Sequence, residues 1–277
     1  MKQEDKTKRY IALAIGAAIC LALAVIIGMG IKSSKGDMPQ VGGTTKEEVA
    51  QLPQAPAEIK ISADSPLGKA KAKNEDAVGW LKIPGTEIDN VVMQAPDNEY
   101  YLSRDEAKEK SPWGCYFADY YADLTSTKNL IQNTVIYGHT ENIDNPDGKR
   151  FSQLFKFTDL DFTKANRNIY LTVGASDATF EVFAVFYSDT DFYYIDPSPS
   201  DQGFDKFMGE VNARNEFVFE GVEVTEQDKL LTLSGCSHKY DEDKTGDQRI
   251  VVMAKQVKDG TVPTGAITKN PTPKHPS

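Results

Sequence analysis

Cysteine, histidine and tryptophan are scarce in this chain: three, three and two among 277 residues. So few thiols exclude a small disulfide-dense scaffold. No Cys or His spacing offers the four ligands of a zinc site, so no metal is expected. No Gly-rich turn joins a strand to a helix in the pattern that cradles nucleotide phosphates, and no cofactor is expected either. Internal repeats are missing as well. Basic residues are outnumbered, 31 Lys and Arg against 41 Asp and Glu, which leaves a net charge of −10. Residues 1–9 carry +2 and residues 10–31 carry nothing, so residues 32–277 hold −12. Such an acidic segment is a poor nucleic-acid binder, because phosphate contacts need clustered Lys and Arg. The charge is expected to serve solubility.

What the chain does have is one long apolar run. Residues 10–31 are 22 positions without a charge, rich in Ala, Ile and Leu. At about 1.5 Å per residue a helix of this length crosses about 30 Å of hydrocarbon. Lys2, Lys6, Lys8 and Arg9 precede it, which predicts a cytoplasmic basic N-terminus (1–9), a single-pass anchor (10–31) and an extracellular remainder. A cleaved signal peptide would have a shorter apolar core and a small-residue cut site, which Met29-Gly30-Ile31-Lys32 does not supply. A lipid anchor on Cys20 is disfavoured by the bulky Ile19 before it. Residues 32–65 are rich in Gly, Pro, Ser and charge and read as a stalk. Residues 66–258 form the folded domain, and residues 259–277, with four prolines, read as a disordered tail.

Within the domain, short apolar or alternating runs recur at 80–83, 91–93, 115–117, 134–137, 169–173, 180–187, 230–234 and 250–257, mostly with Gly, Pro, Asn or Asp between them. Several short strands in succession predict a mainly β fold that closes into a barrel. Residues 66–77 read as a helix leading into it, and 152–155 as a short helical turn. Phe204, Phe207, Met208 and Val211 recur at helical spacing, so a helix over 201–215 is expected between the sixth and seventh strands.

The chemistry-bearing residues stand at strand ends. Leu230-Leu231-Thr232-Leu233-Ser234 delivers Gly235 and Cys236, and Arg249 opens Ile250-Val251-Val252-Met253-Ala254. Paired as a hairpin, the two strands set the thiol beside the guanidinium, although thirteen positions separate them. A neighbouring cation favours the thiolate, the reactive form of a cysteine. Against this stands the plain alternative of a buried structural cysteine near an ordinary surface charge. A third group tips the balance: Asn133-Thr134-Val135-Ile136-Tyr137 reads as another strand and delivers Gly138-His139. A sulfur, an imidazole and a guanidinium at strand ends are the groups that nucleophilic acyl transfer needs. His238, two positions past Cys236, and His275, in the tail, are weaker candidates for the acid–base role.

Thr232-Leu233-Ser234-Gly235-Cys236, the strand Arg249-Ile250-Val251-Val252-Met253-Ala254-Lys255 and Tyr137-Gly138-His139 resemble the three signatures of the sortases, most closely class B. Gly79-Trp80-Leu81-Lys82-Ile83-Pro84-Gly85-Thr86 and Asp97-Asn98-Glu99-Tyr100-Tyr101-Leu102 resemble the opening of that class. The resemblance spans residues 77–257. It implies an eight-stranded barrel with peripheral helices, the helix between strands six and seven helping to recognise substrate. It also implies a membrane-anchored cysteine transpeptidase that cleaves a C-terminal sorting signal of Asn-Pro-x-Thr-x or x-Pro-x-Thr-Gly type after Thr. The partners are then surface proteins bearing that signal and an amine of a peptidoglycan precursor or of another surface protein. Cys236 is the expected nucleophile, His139 the acid–base and Arg249 the oxyanion partner. Ser234 and Tyr194 are expected near substrate, with Tyr240 as a further candidate for the groove. Two positions depart from the family: Gly235 replaces the usual Thr, and Cys115 stands where a small hydroxyl residue is commoner.

Rival readings remain open at this point. A Cys115–Cys236 disulfide would make the domain a non-catalytic extracellular module. A papain-like cysteine hydrolase would want a helix N-terminus behind the cysteine, and a pilin-polymerising sortase shares every motif above. Asp241-Glu242-Asp243-Lys244-Thr245-Gly246 faintly resembles a calcium loop, but Val252 at the twelfth position lacks the carboxylate. Val262-Pro263-Thr264-Gly265 lacks the spacer of a sorting signal.

Overall fold

The computed structural model describes residues 60–276 except 142–143, 190 and 242–247. The expected anchor over 10–31 and most of the stalk lie outside the described residues. Among the described residues, no helix is long and apolar enough to cross a membrane.

The eight predicted strand runs all become barrel strands. β1 (Ala77–Lys82), β2 (Asp89–Met93), β3 (Phe117–Ala118), β4 (Asn133–Gly138), β5 (Asn168–Val173), β6 (Ser176–Ser188), β8 (Leu230–Cys236) and β9 (Arg249–Val257) close in the order β1-β2-β3-β4-β8-β9-β6-β5. Only β2–β3 and β4–β8 pair in parallel. The sequence pattern explains the layering. β1 alternates buried and part-exposed residues, as expected of a strand with one wet face. In β8 and β9, by contrast, the apolar run is continuous because both faces are covered. Leu231, Leu233, Ile250, Val252 and Ala254 point into the barrel core. Leu230, Val251 and Met253 belong to a second cluster outside it.

That second cluster is capped by helix α3 (Phe204–Arg214), preceded by a single 3-10 turn, Pro199–Gln202. Phe204, Phe207 and Val211 are buried on it and Met208 packs at its edge, so the predicted stripe is the face that docks. β6 serves both layers by means of a bulge between Val182 and Ala184 in its pairing with β9. The extra residue resets the alternation: Val182 and Val185 face the barrel, while Phe183, Ala184 and Phe186 face the outer cluster.

Helix α1 (Pro66–Lys73) is shorter than expected. Ser65 caps its start by accepting from the Gly68 amide, and Asn74 ends it. Ala77 is already in β1, paired with Met93, where a helix would have removed it from the ladder. The short turn expected at 152–155 is a longer 3-10 helix, Phe151–Thr158, followed by α2 (Leu160–Ala165).

The tail requires a correction. Ile267–Lys269 forms β10, which pairs antiparallel with the unpredicted β7 (Phe217–Phe219). Buried Ile267 joins the barrel core, so this segment, short as it is, has an apolar anchor with a place to go. Beyond it, the Asn270 and Lys274 amides donate to the carbonyls of Glu216 and Ala213 at 2.9 and 2.8 Å.

Candidate active site

Strand register assembles the three predicted groups. β8 and β9 pair so that Cys236 and Arg249 are direct cross-strand partners. β4 runs parallel to β8 with Gly138 opposite Gly235, which carries His139 to the level of Cys236 on the neighbouring strand. All three side chains are half-buried and line one groove of about 500 Å³. The site therefore lies at one rim of the barrel, where β4 and β8 end and β9 begins.

Two glycines make this convergence possible. A Cβ on Gly138 would lie 2.6 Å from the Phe151 ring. A Cβ on Gly235 would meet Thr140 Cγ2 at 3.0 Å and Phe151 Cβ at 3.1 Å. Phe151, at the head of the 3-10 helix, thus occupies the space in which side chains of these two paired residues would stand. The Phe151 amide donates to the His139 carbonyl at 2.9 Å, fixing the chain just after the imidazole. The backbone beyond the thiol is held as firmly. Thr140 Oγ1 donates to the Cys236 carbonyl at 3.1 Å. Asp144 accepts from Ser237 Oγ at 2.6 Å and from the His238 amide at 3.1 Å.

Arg249 Nη1 donates to the Gln248 carbonyl at 2.8 Å, which steers one edge of the guanidinium. Ser234 and Tyr194 both line the groove, and their hydroxyls lie 3.0 Å apart. Tyr194 is buried, its phenol pKa pushed up by burial, so it is a neutral hydrogen-bonding group. Asn133 holds the same loop by donating to the Tyr194 and Asp196 carbonyls. His139 has its pKa lowered because burial disfavours the imidazolium.

The remaining candidates fall elsewhere. Tyr240 is absent from the groove lining; it stacks on His275, with ring centroids 4.1 Å apart. His275 also reaches Glu216 Oε1 at 2.8 Å, so the tail histidine is a docking residue. His238 pairs with Asp241 at 2.7 Å. Cys115 and Cys236 are free thiols, which removes the disulfide-stapled alternative. Cys115, although it lines the same groove, is buried, and burial raises its thiol pKa well away from reactivity. Cys236 ends a strand, contrary to the helix start of a papain-like site. Among the described residues no group of three or more His, Cys, Asp or Glu side chains gathers as a metal site; most of the acidic loop falls outside them.

Sequence reasoning missed the groove's apolar wall. Trp113, Leu102, Phe192 and Ile195 line it, and Trp113 and Leu102 are exposed on the outside. Loop residues carry no periodicity to betray them, although a lone Trp in Ser111-Pro112-Trp113-Gly114 is itself a signal.

Comparison with known proteins bears on the same region. The Sortase domain family model matches residues 81–257. Sortase B of Listeria monocytogenes is 36% identical over 185 residues, spanning 66% of this chain and 71% of that protein. Sortase B of Staphylococcus aureus is 32% identical over 186 residues, 67% of this chain and 72% of that one. The structure of a Staphylococcus aureus sortase B–substrate complex superposes with a TM-score of 0.60 at 29% identity, covering 70% of this chain and 85% of that chain.

Proposed function

The chain belongs to the sortase family, in its class B, and is a cysteine transpeptidase; from that premise we propose that it anchors surface proteins through Cys236, His139 and Arg249. The signal is of Asn-Pro-x-Thr-x or x-Pro-x-Thr-Gly type, cut after Thr, and the acceptor is an amine of the cell wall or its precursor. The enzyme is held at the outer face of the cell membrane by residues 10–31. That anchoring concentrates the site where lipid-linked acceptors and unfolded C-terminal signals meet, which favours transfer over hydrolysis.

The steps follow from the groups present. The imidazole of His139, whose neutral form burial favours, takes the thiol proton as the sulfur adds to the Thr carbonyl. The carbonyl oxygen becomes an oxyanion, and Arg249 donates to it. A donor of this kind contributes about 2.7–4 kcal/mol to the transition state. The intermediate collapses by breaking the C–N bond, and the His139 imidazolium gives its proton to the departing amine. A thioester remains. An acceptor amine then adds to it, loses its proton to the neutral imidazole and expels the Cys236 sulfur. Ser234 and Tyr194 present hydroxyls along the bound signal.

One observation carries this reading: Cys236 is the cross-strand partner of Arg249, with His139 one residue beyond the register partner of Gly235. The test uses fluorogenic peptides carrying the two signal types, with and without triglycine as amine. Cys236→Ala is expected to abolish cleavage, and the added amine to yield a ligated product. Full cleavage by Cys236→Ala would sink the assignment.

A further inference from the structure

His139 poses a problem that the three-group account leaves unsolved. An imidazole that shuttles protons between a sulfur and two amines must hold its ring at a defined angle. Among the described residues, however, no hydrogen-bond partner meets either ring nitrogen of His139. Its backbone is fixed by Phe151, but no polar group among the described residues fixes the side chain.

What does touch the ring is an indole. The Trp113 and His139 ring centroids lie 5.3 Å apart with the planes inclined at 53°. Trp113 is 41% exposed, so it is not a core residue that happens to graze the site. Its own position is set by the backbone. The Trp113 amide donates to Ser111 Oγ at 3.3 Å, and the Gly114 amide to the Ser111 carbonyl at 3.3 Å. Gly114 itself has φ +51°, with the Tyr101 carbonyl 2.5 Å from where a Cβ would stand. A glycine is required there, and it turns the chain so that the preceding residue projects over the groove. The Ser111 amide is tied in turn to the Ser103 carbonyl at 3.0 Å.

We propose that Trp113 is the positioning residue for His139, its indole packing against the imidazole and holding it toward Cys236 in the place of a hydrogen-bonding orienter. An aromatic face suits this duty because it accepts both protonation states. It packs against the neutral ring, and its negative quadrupole attracts the imidazolium that forms in each half-reaction. A carboxylate in the same place would favour the charged ring and raise the imidazole pKa. The indole also screens one side of the imidazole from water, in line with the burial that lowers the His139 pKa.

The proposal rests on His139 as the acid–base. The experiment therefore compares the wild-type full-length chain with Trp113→Ala, Trp113→Leu, Trp113→Phe, His139→Ala and the Trp113→Ala/His139→Ala pair. The assay uses the same fluorogenic peptides and saturating triglycine. Trp113→Ala and Trp113→Leu are expected to lower kcat about tenfold or more, a small part of what proximity and orientation supply, with KM changed less than about threefold. Trp113→Phe restores a ring and should recover kcat to within about threefold of wild type. Once the imidazole is gone, Trp113→Ala should cost nothing more. A loss confined to KM would make Trp113 merely a wall of the groove and overturn the proposal. Equal losses with and without the imidazole would overturn it too. If Trp113→Ala does not fold, the Leu and Phe variants carry the comparison, since only one of them keeps a ring. Full kcat in His139→Ala alone would overturn the acid–base reading and this proposal with it. A silent Trp113→Ala in an enzyme that needs His139 overturns this proposal only.

Discussion

The state of one imidazole sets the acid side of activity. His139 has a pKa below its ordinary value of about 6.5, since burial penalises the charged ring. The first step needs that ring neutral to take the thiol proton. As pH falls through the His139 pKa the ring arrives already protonated, and acylation stops. The acid limb of kcat/KM should therefore have its midpoint below about 6.5. A pH profile of signal-peptide cleavage by the enzyme checks this; a midpoint above 7 would mean that another group, or the protonated ring, limits the step.

Among the elements, the 3-10 helix over Phe151–Thr158 decides how closely β4 and β8 can approach at the site. Phe151 stands where a side chain on Gly138 would go, 2.6 Å from the position of its Cβ. Gly138→Ala must displace a fully buried aromatic ring, which typically costs about 1–3 kcal/mol. The displacement also moves the backbone that carries His139. Urea unfolding should show a loss of that size, and peptide cleavage should fall in parallel; an unperturbed midpoint would mean that the ring gives way freely. This element also marks where the sequence stops being informative. The barrel strands were legible because each has a run of apolar residues with turn residues around it, and Cys236, Arg249 and His139 were legible because they follow from strand ends. Helix α3 announced itself by its stripe. β7 and β10 did not, since three residues each give no period, and the burial of Ile267 depends on partners far away in sequence. Trp113 escaped for the same reason: a loop residue is placed by turn geometry, here the left-handed Gly114, and not by a pattern.

At the scale of the whole domain, the last residues close the structure and reach the groove indirectly. β10 pairs with β7, Asn270 Nδ2 donates to the Asn215 carbonyl at 2.8 Å, and the Lys274 amide bonds Ala213 in α3. His275 clasps Glu216 and stacks on Tyr240 in the segment after Cys236. The anchored helix then supports the groove: Phe207 packs on Phe192 with ring centroids 5.5 Å apart, and Arg214 lies 4.8 Å over the same ring. Phe192 in turn lines the groove beside Tyr194. Removing residues 266–277 deletes the buried Ile267 from the barrel core, a loss of about 1.5–3 kcal/mol, together with backbone bonds of about 1 kcal/mol each. The freed chain entropy offsets part of this, so the net loss should be about 2–4 kcal/mol by urea unfolding. Because the proposed catalytic groups sit on β8, on β9 and just past the end of β4, strands the tail does not pair with, kcat should survive in the folded fraction. KM for the signal peptide should rise, as the Phe192 wall loses its backing. A truncated domain with unchanged stability and unchanged KM would show that the tail merely rests on the surface, and a collapse of kcat at constant KM would place its influence on the strands themselves.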